Sequence, residues 1–353
     1  MTVLYLTEQY ASVTLDAETL VVKARQADGQ MKKTRVPLMK ITQAVAFGNI
    51  TLTTPALTAL LEQRAEIIYL TRFGKFVGRI SGDLHKHGRL RLLQRRAHDD
   101  PTLRLQVAAV CVRAKLHNQR TLLLRSSRTR EDALLDAAAA TIGELIAQID
   151  ALPTIDHAPP DPARPQQGTV LGLLMGYEGA AAAAYFQAYG RLFVDEWAGL
   201  FTGRHRRPPT DPINALLSYG YTLLTTQVTA AAHIVGFDPY IGYLHSTQYG
   251  KPALALDILE MFRAPIVDSV VLTLLNNRML TSRDFHETFG AWRLSDGGRR
   301  VFLQKFEERL NTEFTHPIFK TKVTYRRALT LQMRLLARWM GGEFKRFREF
   351  YTR

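Results

Sequence analysis

The sequence predicts an α+β protein: a small N-terminal β domain followed by a large all-α C-terminal domain. Three observations predict it. Over residues 1–85, apolar and polar residues alternate in short runs rich in Val, Thr and Leu. From residue 86 onward, apolar residues recur at i, i+3 and i+4 over long segments. A chain of 353 residues, 46% of them hydrophobic, can also bury an ample core. The boundaries expected are 1–85 for the β domain and 86–353 for the helical domain.

The elements follow in order. Residues 1–6, 11–16 and 20–24 alternate and read as strands. Gly48-Asn49 is a turn signal, and Thr54-Pro55 opens a short helix running to Gln63. Residues 67–70 form a buried strand, and Phe73-Gly74-Lys75-Phe76 closes a hairpin. Helical spacing covers 103–124 and 131–152. Residues 151–169 hold Pro153, Pro159, Pro160, Pro162 and Pro165, which marks a loop. Helices resume over 170–193, 211–234, 252–277 and 299–311, and a very basic helix is expected over 331–353. Asp211-Pro212 pairs an N-cap with proline at the first helical position. No repeat of solenoid period is present.

Composition excludes intrinsic disorder, a collagen-like chain and a disulfide scaffold. The single cysteine, Cys111, excludes an internal disulfide and a cysteine-built zinc site, and fits the reducing cytoplasm. The longest apolar run, 171–186, is broken by Glu178 and falls short of the roughly 20 residues of a membrane span. The opening MTVLYLTEQY lacks a basic leader and a cleavage site, so no signal peptide is expected. Against 32 acidic residues stand 46 basic ones, a net charge of +14. The excess is concentrated: 86–130 holds 12 basic and 2 acidic residues, and 321–353 holds 9 and 2. Clustered positive charge is what a phosphate-binding surface needs, and it favours nucleic acid over a membrane. For any single arginine a solvated helix face is the simpler explanation.

Three places break the apolar pattern with chemistry. Glu178 sits inside a stripe of Leu171, Leu174, Met175, Ala181, Ala182 and Tyr185. A carboxylate there needs a cation or a raised pKa, unless it reaches water at the stripe's edge. The segment 252–267 is apolar except for Asp257, Glu260 and Arg263, which share one side. They form either a metal-facing pair of acids or an internal salt network. His245 follows Pro239 and Gly242, residues of a tight turn, and lies 15 positions before Glu260. Glu178, His245 and Glu260 together offer two hard oxygens and one imidazole, a set suited to Mg²⁺ or Mn²⁺. Tyr243 and Tyr249 flank His245, with core packing their simpler role. His85-x-His87 reads as phosphate-facing or inert. No phosphate-binding glycine loop, dinucleotide fingerprint or nucleophile elbow is present.

Three segments together resemble one family: Gly176-Tyr177-Glu178-Gly179-Ala180-Ala181, residues 207–221, and residues 236–268. With Phe47-Gly48-Asn49-Ile50 and Gly74-Lys75-Phe76-Val77-Gly78-Arg79 they are similar to the CRISPR-associated spacer-acquisition integrases, endonucleases of prokaryotic adaptive immunity. The resemblance covers nearly the whole chain. It implies a homodimer joined through the β domains and a divalent-metal site on Glu178, His245 and Glu260. Asp257 matches a second acid that some members use near the metal, and Arg263 a basic position facing DNA. It also implies a small ferredoxin-like adaptation partner. The Pro-rich stretch departs from the family pattern.

The reaction implied is transesterification, in which a DNA 3′-hydroxyl attacks a phosphodiester of the CRISPR array; water in its place gives cleavage. The expected substrate is double-stranded DNA with frayed or single-stranded ends. Lys86, Arg89, Arg91, Arg95 and Arg96, with Arg204, Arg206 and Arg207, are the expected backbone contacts. Glu260→Ala is expected to abolish cleavage with little change in melting temperature. The rival reading is a non-catalytic basic DNA-binding protein with a structural His/Glu cluster. A membrane-surface role for the basic C-terminal helix is the third.

Overall fold

Alternating sequence in the first part of the chain does fold into strands, and the helical spacing beyond it into helices. The structure, a computed structural model, describes residues 2–25, 29–82, 87–128, 131–153, 169–205, 208–245 and 248–352. Backbone packing divides the chain into two units, Met1–Leu84 and His85–Arg353. Each is described by itself.

The first unit holds β1 (Thr2–Leu6), β2 (Ser12–Asp16), β3 (Thr19–Arg25), β4 (Met31–Pro37), β5 (Ile41–Phe47), β6 (Thr51–Leu52), α1 (Thr54–Glu62), β7 (Glu66–Leu70) and β8 (Phe76–Ile80). One four-stranded sheet runs β1-β5-β7-β8 and the other β4-β3-β2-β6. Leu15 opposes Leu20 across the β2–β3 hairpin, whose turn residue Ala17 takes φ 50°. The two inner faces share one core, in which Val13, Leu20, Ala44, Leu60 and Ile67 are buried. β5 and β4 lie outside the alternating runs, for opposite reasons. β5 pairs in parallel with both β1 and β7 and buries Gln43 through Phe47, so it shows no alternation. β4 is an edge strand whose Lys32, Lys33 and Arg35 are exposed, a charged edge that resists pairing with another chain.

The second unit comprises α2 (Gly88–Asp99), α3 (Pro101–Ser127), α4 (Ala133–Asp150), α5 (Val170–Tyr189), α6 (Pro212–Val235), α7 (Ala253–Glu260), α8 (Ser269–Asn276), β9 (Phe285–Thr288), β10 (Ala291–Leu294), α9 (Asp296–Asn311), β11 (Glu313–Thr315), β12 (Lys322–Thr324) and α10 (Tyr325–Met340). The expected caps form: Asp211 accepts from Asn214 N at 2.7 Å with Pro212 behind it, and Gly236 ends α6 at φ 103°. Asp100, ahead of Pro101, accepts from Thr102 N and Leu103 N at 2.9 and 3.0 Å. α6 is buried along most of its circumference.

Three expectations need correction. The unit is not all-α, since β9–β10 and β11–β12 form two short antiparallel hairpins. Phe289-Gly290, both at positive φ, turns the first of them. The segment 252–277 is not one helix. α7 ends at Glu260, a π-helix spans Arg263–Asp268, and α8 follows. Pro265 lies inside the irregular part, where its missing N–H and its ring are incompatible with continuous α-helix. The C-terminal basic helix starts earlier and stops sooner than 331–353. α10 ends at Met340, where Gly341-Gly342 breaks it with Gly342 at φ 81°. Residues 343–352 run on without regular structure, with Phe350 fully buried and stacked on Phe262 at 4.5 Å.

Candidate active site

The site is assembled from four places in the second unit. α5 carries Glu178, α7 carries Asp257 and Glu260, the loop after α6 carries His245, and α3 supplies Lys115.

The loop is held from two sides. Gln94, buried on α2, donates to Asp238 O and Ile241 O at 2.7 and 3.0 Å and accepts from Asp238 N at 2.9 Å. His98 lies 2.6 Å from Gly242 O, and Arg104 donates to Tyr243 O at 2.9 Å. From α7, the buried Asp257 carboxylate accepts the backbone N–H groups of Tyr243, Leu244 and His245 at 2.5, 3.1 and 2.9 Å. Gly242 is required for this fit, because a Cβ there would stand 2.6 Å from Ala253 Cβ and 2.9 Å from Asp257 Oδ2. The sequence reading missed Gln94, His98 and Arg104. Their only signal is polarity on helical faces, which solvated residues share.

Asp257 does one more thing. Its Oδ1 lies 2.7 Å from His245 Nδ1, leaving Nε2 directed toward Glu260 Oε1 at 3.8 Å. A carboxylate that engages one imidazole nitrogen so that the other faces a metal is a recurrent supporting arrangement. Asp257 therefore sits behind His245 rather than beside Glu260.

Glu260 is 3% exposed and is met by two cations. Arg263, one turn on, reaches Oε1 at 3.0 Å, and Lys115 Nζ reaches Oε2 at 2.9 Å. Burial pushes the Glu260 carboxyl upward, but Arg263, Lys115 and His245 outweigh it and hold the pKa down at about 2. It is a carboxylate at any working pH. Arg263, expected to face DNA, is turned inward here, paired with Glu260 and stacked 4.8 Å over the Tyr221 ring.

Glu178 lies where the broken apolar stripe placed it, with Leu174, Ala181 and Tyr185 buried around it. Its Oε1 contacts the Lys115 ammonium, so one cation touches both Glu178 and Glu260. Lys115 went unseen in the sequence although the logic that found Glu178 applies to it: a charge in a helix face with Ala108, Cys111 and Val112, all buried. Ala182 and Ala183, one turn beyond Glu178, border a cavity of about 620 Å³ shared with Phe186, Gln187 and Arg204.

Behind the site, buried Asp268 accepts from Tyr185 Oη and Tyr221 Oη at 2.7 and 2.6 Å. Burial pushes its carboxyl up despite these hydrogen bonds and the nearby Arg263 and Arg204. The Cys111 thiol is also pushed up, by burial and by the charges of Asp257 and Glu260, so it offers no thiolate nucleophile. Tyr243 is fully buried, a core residue, while Tyr249 is fully exposed.

The donors suit a hard divalent cation. Two carboxylates and an imidazole Nε2 face one region, and Glu260 Oε2 is buried without a well-directed hydrogen bond. Glu178 and His245 are about a quarter exposed, so the region opens to solvent on their side. Among the described residues no group of three or more His, Cys, Asp or Glu is already gathered tightly enough to hold a metal. The Lys115 ammonium stands between the two glutamates.

Of the other expected contacts, Arg95 is exposed on α2 and pairs with Asp99 at 2.6 Å, and Arg96 is exposed. Arg204 is turned onto Asn214 Oδ1 at 2.7 Å and Ser218 Oγ at 2.9 Å. Arg206, Arg207, Lys86, His85 and most of the Pro-rich stretch lie outside the described residues. No helix among the described residues is long and apolar enough to cross a membrane.

Comparison with known proteins gives a consistent result. A CRISPR-associated Cas4 exonuclease/Cas1 endonuclease fusion from Geobacter sulfurreducens is 38% identical over 99% of this chain, which spans 60% of that protein's length. A CRISPR-associated endonuclease Cas1 from Thermus thermophilus is 34% identical over 99% of this chain and 97% of its own. In fold, the chain matches a casposase bound to integration product with a TM-score of 0.82 at 22% identity, over 99% of this chain and 93% of that one. The family described as CRISPR associated protein Cas1 matches residues 4–308, and the chain belongs to that family.

Proposed function

We propose that this chain is a divalent-metal-dependent DNA endonuclease and integrase that inserts short foreign DNA into a CRISPR array. The observation that carries this reading is the convergence of Glu178, His245 and Glu260 on one partly open region from three elements far apart in sequence. The endonuclease names of the relatives and the fold shared with a casposase support it.

Glu178, Glu260 and His245 Nε2 would hold Mg²⁺ or Mn²⁺. Bound there, the ion supplies Lewis-acid stabilisation of the attacked phosphate and favours the alkoxide of the attacking or leaving 3′-oxygen. The chain's own residues prepare the ground. Asp257 orients the imidazole and fixes the loop. Arg263 and Lys115 keep Glu260 ionised in a buried setting. The nucleophile is the 3′-hydroxyl of the incoming strand: a new 3′-O–P bond forms as the array's own 3′-O–P bond breaks. No side-chain nucleophile is needed. Exposed arginines of α2, with Arg206 and Arg207, position the DNA through its phosphates, while Arg204 is committed to Asn214 and Ser218.

The same reading assigns dimerisation to the 1–85 β domain and the chemistry to 86–353. It takes as substrate double-stranded DNA with frayed or single-stranded ends, and as partner a small ferredoxin-like adaptation protein. The rival, a closed structural ion cluster on a DNA-binding scaffold, gains from the neutralising pair Lys115 and Arg263. It leaves the partial exposure of Glu178 and His245 without a purpose. The test is cleavage of branched DNA in Mn²⁺. Wild type is expected to cleave, EDTA and His245→Ala to abolish cleavage, and both forms to bind DNA alike. Cleavage by His245→Ala at the wild-type rate would refute the proposal.

A further inference from the structure

We propose that Lys115 is a positioning residue that stands in for the divalent ion. Its ammonium contacts both the Glu178 and Glu260 carboxylates, competes with the ion for their oxygens, and withdraws when the ion binds. The inference rests on the metal-centre reading above.

Three features of the site carry it. The first is placement. The Lys115 side chain is 5% exposed, and its ammonium contacts Glu178 Oε1 on α5 and Glu260 Oε2 on α7. It therefore occupies the space that any cation shared by those two carboxylates would take. The second is charge. Two carboxylates facing each other in a poorly hydrated site repel and separate unless a cation lies between them. Arg263 reaches only Glu260 Oε1, so Lys115 is what joins the two helices electrostatically. The third is mobility. Arg263 is a planar fork pinned by Glu260 and by the Tyr221 ring. Lys115 ends in a compact point charge on a flexible four-carbon stem. Both of its contacts, to Glu260 Oε2 at 2.9 Å and to Glu178 Oε1, are made by one rotatable head group, which a divalent ion can displace by turning the stem. Of the two cations, Lys115 is the one built to leave.

Mn²⁺ affinity tests this, measured by electron paramagnetic resonance titration of the full-length chain. Lys115→Met removes the competitor and is expected to bind Mn²⁺ at least about tenfold more tightly than wild type, the equivalent of ~1.4 kcal/mol. Its melting temperature in EDTA is expected to fall, and Mn²⁺ to restore more of it than in wild type. A merely structural salt bridge predicts the reverse, a loosened site with weaker binding. Unchanged or weaker affinity in the folded variant overturns the proposal. Lys115→Gln, with a neutral hydrogen-bonding head, is expected to behave as Lys115→Met does. Crystals of wild type with and without Mn²⁺ need no variant at all. Nζ is expected to lie clear of both carboxylates in the loaded form, and an ion on Glu178 and Glu260 with Nζ still between them overturns the proposal. If wild type binds no Mn²⁺ by either method, the metal-centre reading fails, and the role of Lys115 falls with it. Mn²⁺ bound with Lys115 in place sinks only the latter.

Discussion

At the scale of single residues, the site is a problem of buried charge. Glu260 cannot be truncated without consequence, because Arg263 and Lys115 would face an empty, poorly hydrated space. Breaking a buried ion pair by removing one partner costs about 3–5 kcal/mol. Glu260→Ala is therefore expected to lose cleavage and also to melt well below wild type, contrary to what the sequence alone leads one to expect. Glu260→Gln keeps the volume and one oxygen, and is expected to lose cleavage with a smaller loss of stability in calorimetry. Asp257→Asn weakens the hold on both the imidazole and three backbone N–H groups. A supporting partner of this kind accounts for about 10–100-fold in metal affinity or activity. His316 gives a pH prediction. It is fully buried, accepts from Ile318 N at 3.2 Å, and burial holds its pKa down at about 4. Below its ordinary value of 6.5 the unfolded chain takes up a proton that the native imidazole refuses. The contribution to stability is complete above pH 6.5 and is lost as pH falls toward about 4. Denaturant titrations across that window are expected to show the decline, and His316→Asn to flatten it.

At the scale of elements, the loop after α6 is the part that places His245 beside Asp257 and Glu260. Gly242→Ala drives a methyl into Ala253 and Asp257, and overpacking of this kind costs typically about 1–3 kcal/mol. The displaced loop would carry His245 away from Glu260. Activity is expected to fall far more than the melting temperature, and a Gly242→Ala variant with wild-type cleavage would show that the loop tolerates movement. Much of this was legible in the sequence. Glu178, Asp257, Glu260 and His245 stand out because each puts charge or imidazole where the local pattern is apolar. Gln94, Arg104 and Lys115 did not, because a partner 139 to 147 residues away leaves no local mark and a lysine on a basic helix passes for a surface charge. Two helix breaks are hidden in the sequence. Pro265 breaks α7 from α8, and Gly341-Gly342 stops α10, yet helical spacing continues on either side and hides both breaks. β5 was invisible because a strand buried on both faces lacks alternation.

At the scale of the whole molecule, residues 350–352 pack back against α3 and the end of α7. Asn118, three positions from Lys115, donates to Met261 O and Phe350 O at 2.7 and 3.2 Å and accepts from Thr352 N at 2.7 Å. One amide thus ties α3, the end of α7 and the terminal segment together. Phe350→Ala removes the ring stacked on Phe262 and is expected to cost about 3–5 kcal/mol. Thermal melts would measure it, with metal affinity falling as α3 and α7 loosen. The α+β division and the excess charge could both be read from composition and period, whereas this closure depends on contacts between distant parts of the chain. The account is tested most directly by anomalous diffraction at the manganese edge from crystals soaked in Mn²⁺. It predicts one strong peak within coordination distance of Glu178, Glu260 and His245 Nε2. A peak elsewhere on the chain, with Glu178 and Glu260 still held about Lys115, would contradict it.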